Sequence, residues 1–233
     1  MRKGIRKHFF NENYFENIDT EEKAYWLGFI SADGSICKSS KYNSYRLVLN
    51  LNRLDEHHIL KFKNAICAND INIKHYINTK GFSKIGGSES SRLVLNSYKL
   101  CMDLDKYNVH IRKSYDIQLP TNINNCLMNH YIRGYFDGDA SYSYRYDTKY
   151  KRYKYDFELV TGSEIFAYQL KYFLETVGIR VNIYYRKNKN YNIRVKTCSK
   201  KEILKLFDYL YNNANIYLER KYEKVKEIRD IAV

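Results

Sequence analysis

The sequence predicts an α+β fold built from two pseudo-symmetric α-β-β-α-β-β-α units, each with a four-stranded antiparallel sheet. Three observations carry that prediction. An apolar segment, Trp26-Leu27-Gly28-Phe29-Ile30-Ser31-Ala32-Asp33-Gly34, returns as Ile132-Arg133-Gly134-Tyr135-Phe136-Asp137-Gly138-Asp139-Ala140, with the acids Asp33 and Asp139 106 residues apart. After each copy the hydrophobic period changes to two, as strands with one oily face require. The same order of patterns then follows in both halves, as in an internal duplication.

Taken in order, residues 1–18 are basic and aromatic (Arg2, Lys3, Arg6, Lys7, Tyr14, Phe15) and read as an arm able to touch phosphates or as a solvated tail. Asp19-Thr20-Glu21-Glu22 resembles a capping box and opens the first helix, which runs to Asp33. Leu47, Leu49 and Leu51 then alternate with Arg46, Asn50 and Asn52. A helical stripe follows from Asp55 (Ile59, Phe62, Ile66), with His57-His58 read as an exposed pair. Two strands come next: Ile71, Ile73 and Ile77 alternate with Lys74 and Tyr76, and Leu93 and Leu95 with Arg92 and Asn96. Gly81, Gly86 and Gly87 mark the loop between them. Leu100, Leu104 and Tyr107 predict a helix, and His110-Ile111-Arg112-Lys113-Ser114 closes the unit.

Pro120, the only proline, marks the linker, giving units 1–119 and 120–233. The second unit repeats the order: a strand around Tyr155, Phe157 and Leu159, a helix with Phe166, Leu170 and Phe173, then two strands. In those strands Val181, Ile183, Ile193 and Val195 alternate with Tyr184, Arg186, Arg194 and Lys196. A long helix from about Lys201 follows, and then Leu218-Glu219-Arg220-Lys221-Tyr222. Asp33 to Asp55 is 22 residues, and Asp139 to the matching Ser163 is 24.

Each duplicated helix carries small residues four apart, Gly28/Ala32 and Gly134/Gly138, on one face where another backbone can come close. Packed through those faces, the two helices bring Asp33 and Asp139 together at one end. A carboxylate in the last turn faces the negative end of the helix dipole, and two side by side repel each other. A divalent cation with a preference for oxygen ligands, Mg²⁺ or Ca²⁺, relieves both costs.

Charge points to the partner. The chain has 40 Lys+Arg against 26 Asp+Glu, a net charge of +14, which suits a polyanion. The sequence contains no apolar run long enough for a transmembrane helix and no signal-peptide core, which argues against a membrane partner. Five widely spaced cysteines without a Cys-x-x-Cys pair argue against a zinc finger or a disulfide framework. Reduced, structural thiols in an intracellular, nucleic-acid-associated protein are expected. Strand faces bearing Arg, Lys, Asn and Tyr at alternate positions suit the major groove, where Arg and Lys pair with guanine and amides with adenine.

The two nine-residue segments resemble the paired motifs of single-chain LAGLIDADG homing endonucleases, and the likeness extends over nearly the whole chain. The resemblance implies that the two sheets form a saddle over double-stranded DNA and that the motif helices make the interface between units. It implies that Asp33 and Asp139 bind the divalent metals that cut one strand each, with Mg²⁺ as cofactor and Ca²⁺ or Mn²⁺ able to substitute. The backbone at Ala32 is left without an assigned part. Lys113 and Lys221, after the last helix of each unit, are the candidates for a basic catalytic residue, and Asn52 and Thr161 for ordering water. The expected DNA-reading residues are Arg46, Asn50, Asn52, Lys74, Tyr76, Arg92 and Asn96 in the first sheet, and Tyr184, Arg186, Arg194 and Lys196 in the second. This sequence departs from the motif at Ser31 and Ala140. The implied activity is hydrolysis of both strands at a long, asymmetric site by a monomer. The alternative is a non-cleaving binder on the same fold, such as an intron-splicing maturase or a regulator. The C-terminal Ile231-Ala232-Val233 lacks the His-Asn close of an intein.

Overall fold

The computed structural model describes residues 9–39, 44–78, 88–185 and 193–231. Helix α1 (Glu21–Asp33) begins where the Thr20 hydroxyl accepts from Lys23 N, and helix α4 (Met128–Asp139) crosses it. Every residue of α1 from Ala24 to Ser31 is buried, because α4 covers one side and the helix's own sheet the other. The crossing is a backbone contact. A Cβ added at Gly28 would lie 1.9 Å from the Tyr131 carbonyl oxygen, and one added at Gly134 would lie 1.9 Å from that of Tyr25. The paired small residues therefore act as expected, each accepting the other helix's main chain.

The first sheet comprises β1 (Gly34–Ser39), β2 (Ser44–Asn52), β3 (Lys74–Asn78) and β4 (Ser88–Asn96), in the antiparallel order β1-β2-β4-β3. The second comprises β5 (Ala140–Asp147), β6 (Arg152–Thr161), β7 (Asn182–Tyr185) and β8 (Ile193–Thr197), in the matching order β5-β6-β8-β7. Each motif helix runs straight into the first strand of its sheet. Leu47, Leu49, Leu93 and Leu95 in one sheet and Phe157, Leu159 and Val195 in the other face the core. Helices α2 (Glu56–Ala65) and α3 (Tyr98–Asp105) belong to the first half, and α5 (Glu164–Thr176) and α6 (Lys200–Tyr211) to the second.

The structure corrects several expectations. A seventh helix, α7 (Glu219–Asp230), follows α6, and the buried residues Lys221, Val225 and Ile228 line one side of it, three and four residues apart. Tyr14 and Phe15 are core residues against Phe62, since two large rings in a short segment gain more from burial than from solvation. Residues 1–8 of the expected arm, and the glycines of the 81–87 loop, lie outside the described residues. Strand β3 is shorter than its apolar alternation suggested, and Ile77 is exposed. His58 is fully buried among Tyr25, Trp26 and Phe29, whereas His57 is exposed as expected. Of the cysteines, which are all free, Cys101 is buried, Cys37 is half-buried, and Cys67, Cys126 and Cys198 are exposed, so a core role fits Cys101.

Candidate functional site

Asp33 and Asp139 are the last residues of α1 and α4, and the glycine crossing brings them together. A Cβ on Gly138 would stand 2.5 Å from Ala32 Cβ and 3.4 Å from Asp33 Oδ2, so Gly138 is what lets the ends approach. Burial, followed by the Asp139 charge, pushes the Asp33 carboxyl up to about 6, while Lys221, Lys113 and Arg220 oppose the rise. Asp139 keeps exposed surface at the mouth of the site, yet the protein around it also raises its carboxyl, against the pull of Lys113 and Lys221. Both acids thus carry charge that their surroundings only partly compensate.

The two lysines occupy corresponding places. Lys113, on a short 3₁₀ turn (Lys113–Tyr115), donates from Nζ to the Gly34 carbonyl at 2.5 Å and to Ala32 O at 3.4 Å. Lys221, in the first turn of α7, donates to the Ala140 carbonyl. Gly34 follows Asp33 and Ala140 follows Asp139, so each ammonium grips the peptide next to its half's acid. Burial lowers both lysine pKa values, and both acids pull them back up. A cleft of about 330 Å³, lined by Ala32, Lys113, Tyr135, Asp139 and Thr161 among others, opens beside the pair. Thr161 reaches this cleft, with its hydroxyl accepting from Ser163 N. Asn52 caps a 3₁₀ turn through Leu54 N.

Three features escaped the sequence reading. Arg220 Nε contacts both oxygens of the buried Asp55 at 2.9 Å, and Glu219 pairs with His57 at 2.7 Å and with Lys61, which ties the Lys221 segment to α2 of the other half. In the second half Ser163, the counterpart of Asp55, donates instead to Ile117 O at 2.7 Å. Asp137 is fully buried and accepts from Tyr25 at 2.8 Å, from Leu218 N at 2.7 Å and from Tyr211. Burial pushes its carboxyl up to about 6, while those three hydrogen bonds oppose the rise. Tyr25 also pairs with His58 Nε2 at 2.8 Å, and burial lowers the His58 imidazole to about 3, so that it is neutral. Arg133, also buried, donates to Glu21 and to the Leu210 and Ile216 carbonyls. The only sequence signal for this network was that Arg133 and Asp137 stand within the largely apolar stretch 131–138 of α4.

The outer sheet faces follow from register, because residues directly opposite across antiparallel strands share a face. Asn50 opposes Arg92, Arg92 opposes Lys74, and Arg46 opposes Asn96; Asn52 and Tyr76 both oppose Ser90. All seven residues expected in the first sheet therefore share the face away from the core. Arg92 lies over the Tyr76 ring at 4.5 Å and donates to Asn50. In the second sheet Tyr184 opposes Arg194, and Lys196 lies on the same face, opposite Glu158. Arg186 lies outside the described residues.

Two four-stranded antiparallel sheets behind a pair of crossed, acid-ended helices also occur in known proteins. Residues 127–211 match the family model of the LAGLIDADG-like domain. Over most of its length the chain has the fold of LAGLIDADG homing endonucleases. It superposes on I-GzeII in complex with its DNA target with a TM-score of 0.61 and 16% identity, covering 88% of each chain. On I-LtrWI bound to target DNA the TM-score is 0.59 and the identity 13%, with 94% of this chain and 89% of that one covered. On I-AabMI bound to uncleaved DNA the TM-score is 0.59 and the identity 10%, with coverage of 89% and 88%. No curated protein sequence gives a significant match. Among the described residues no helix is long and apolar enough to cross a membrane.

Proposed function

We propose that this chain is a site-specific, metal-dependent endonuclease for double-stranded DNA, a homing endonuclease that acts as a monomer on a long, asymmetric target. The reading includes two units, 1–119 and 120–233, and an intracellular, DNA-associated protein. The observation that carries it is the convergence of Asp33 and Asp139, both raised in pKa, with a buried lysine gripping the peptide beside each.

The residues present fit a divalent cation. Among the described residues no cluster of three or more His, Cys, Asp or Glu side chains could hold a metal alone. Two carboxylates completed by substrate phosphates is, however, a usual Mg²⁺ arrangement. Asp33 and Asp139 would hold Mg²⁺, with Ca²⁺ or Mn²⁺ as substitutes. When bound, the cation supplies an acidified water and neutralises charge at the leaving oxygen. Lys113 and Lys221 fix the backbone that aims the acids and place positive charge where a phosphate gathers negative charge in the transition state. Lys74, Arg46 and Arg92 in the first sheet, with Arg194 and Lys196 in the second, meet phosphates and base edges.

The test starts from a randomised duplex library selected for binding in Ca²⁺ and then transferred to Mg²⁺. Asp33→Asn and Asp139→Asn should each keep binding and lose cleavage by several orders of magnitude. Cleavage at the parent rate by both variants would contradict the reading, and a parent protein that binds but never cuts would favour the non-cleaving alternative.

A further inference from the structure

The outer face of the second sheet differs from that of the first in one chemical respect: it carries acids. Asp156, Glu158, Arg194 and Lys196 all lie on it by register. Lys196 Nζ is 2.6 Å from Asp156 and 3.7 Å from Glu158, and Arg194 Nη1 is 3.0 Å from Glu158. No carboxylate stands on the outer face of the first sheet among the described residues, where Arg46, Lys74 and Arg92 point outward. Exposed ion pairs stabilise a fold little. Carboxylates on a surface that meets a polyanion also cost binding through repulsion. They are favourable there if they meet hydrogen-bond donors, and the base edges of the major groove supply them.

We propose that Asp156–Lys196 and Glu158–Arg194 are specificity-determining pairs that each read one G·C base pair. This rests on the duplex-DNA reading above. A G·C pair presents the cytosine N4 donor beside the guanine O6 and N7 acceptors. A carboxylate beside a cation offers the complementary set, with the acid accepting from N4 and the Arg or Lys donating to O6 and N7. An A·T pair places a donor and acceptors differently, and the thymine methyl replaces one polar contact. Same-face residues two apart on a strand are about 6.8 Å apart, close to two base steps of about 3.4 Å. The two G·C positions should therefore lie about two base pairs apart within one half of the target.

The experiment is selection of duplexes from a library of randomised 30-base-pair DNA in Ca²⁺, with the parent chain, Asp156→Asn, Glu158→Gln and, as a first-sheet control, Arg46→Ala. Binding of an unselected random duplex is measured as a function of salt, and thermal midpoints verify folding. The parent should enrich G·C at two positions about two base pairs apart in one half-site. Each acid variant should relax the preference at one of them by roughly tenfold, equivalent to one good base contact. Each should also bind the random duplex more tightly, with a steeper salt dependence, because a cation is released to phosphate. Arg46→Ala, in the other sheet, should leave both G·C preferences as they are in the parent. Parent enrichment that both folded acid variants reproduce, or random-duplex affinity that neither raises, overturns this inference and leaves the DNA reading standing. A parent chain that binds no duplex overturns both.

Discussion

Lys113 and Lys221 do corresponding work, each donating to the carbonyl that follows its half's acid, but the segments that carry them are anchored in different ways. The Lys221 segment opens the twelve-residue helix α7 and is tied by charge to the first half, Arg220 to Asp55 and Glu219 to His57 and Lys61. The Lys113 segment is a single 3₁₀ turn, entered through Arg112 at φ 64° and fastened by the Ser163 hydroxyl to Ile117 O. The duplication has kept where the ammonium sits and changed what holds it there. One site can therefore be positioned from both sides while its two supports respond differently to salt and pH.

The largest expected effect tests what the halves share. Gly28→Ala and Gly134→Ala each set a methyl 1.9 Å from a carbonyl oxygen of the facing helix. Separating two backbones in contact costs more than ordinary overpacking, so each variant should lose about 3 kcal/mol or more in denaturant unfolding. Because the contact is reciprocal, the two losses should be similar. A clear inequality would break the pseudo-symmetry at its centre.

A smaller effect separates the two supports. Ser163→Ala removes the cap of α5 at Phe166 N and leaves the Ile117 carbonyl without its donor, and should cost about 2 kcal/mol at any salt concentration. Asp55→Asn weakens a pair whose arginine is half exposed, and should cost about 1 kcal/mol or less at low salt, fading as salt screens it. Equal salt dependence of the two losses would contradict the distinction between a hydroxyl and a charge clamp.

The smallest effect is a slope. The unfolded His58 imidazole takes a proton below about 6.5, while burial holds the folded one near 3. Its contribution to stability is therefore full above about 6.5 and is lost as pH falls toward 3. Asp33 and Asp137, pushed up to about 6, act in the opposite sense and make stability fall as pH rises from about 4 to 6. His58→Asn should flatten or reverse the rise of the thermal midpoint between pH 4 and 7. An unchanged slope would mean that the imidazole is not held neutral.

What could be read from the sequence was whatever depends on local spacing. Gly28 and Gly134 mark the helix crossing, and period-two alternation assigned Arg46, Asn50 and Arg92 to one sheet face; both follow from geometry within a single element. The Asp137 network could not be read, because Tyr25 and Asp137 are 112 residues apart and their hydrogen bond exists only once the helices cross. His58 looked like half of an exposed pair because neighbouring residues on a helix face different ways, and only its position against Tyr25 and Trp26 shows which way is in. The Asp55–Arg220 clamp spans 165 residues and involves two types that are ordinarily solvated. The outer-face acids Asp156 and Glu158 belonged to a strand whose oily alternation was noted without weighing their charge.

Asp33 and Asp139 stand together at the ends of α1 and α4, where their charges oppose each other, and the proposed function has them share a divalent cation. Thermal unfolding of the parent chain, Asp33→Asn and Asp139→Asn, with and without Mg²⁺, tests it most directly. Without metal, each variant should match or exceed the parent midpoint, since removing one charge relieves the other. With Mg²⁺ the parent midpoint should rise by ligand linkage, and both variants should lose most of that rise. A rise of equal size in all three proteins would show that the cation binds elsewhere and that Asp33 and Asp139 do not form one site.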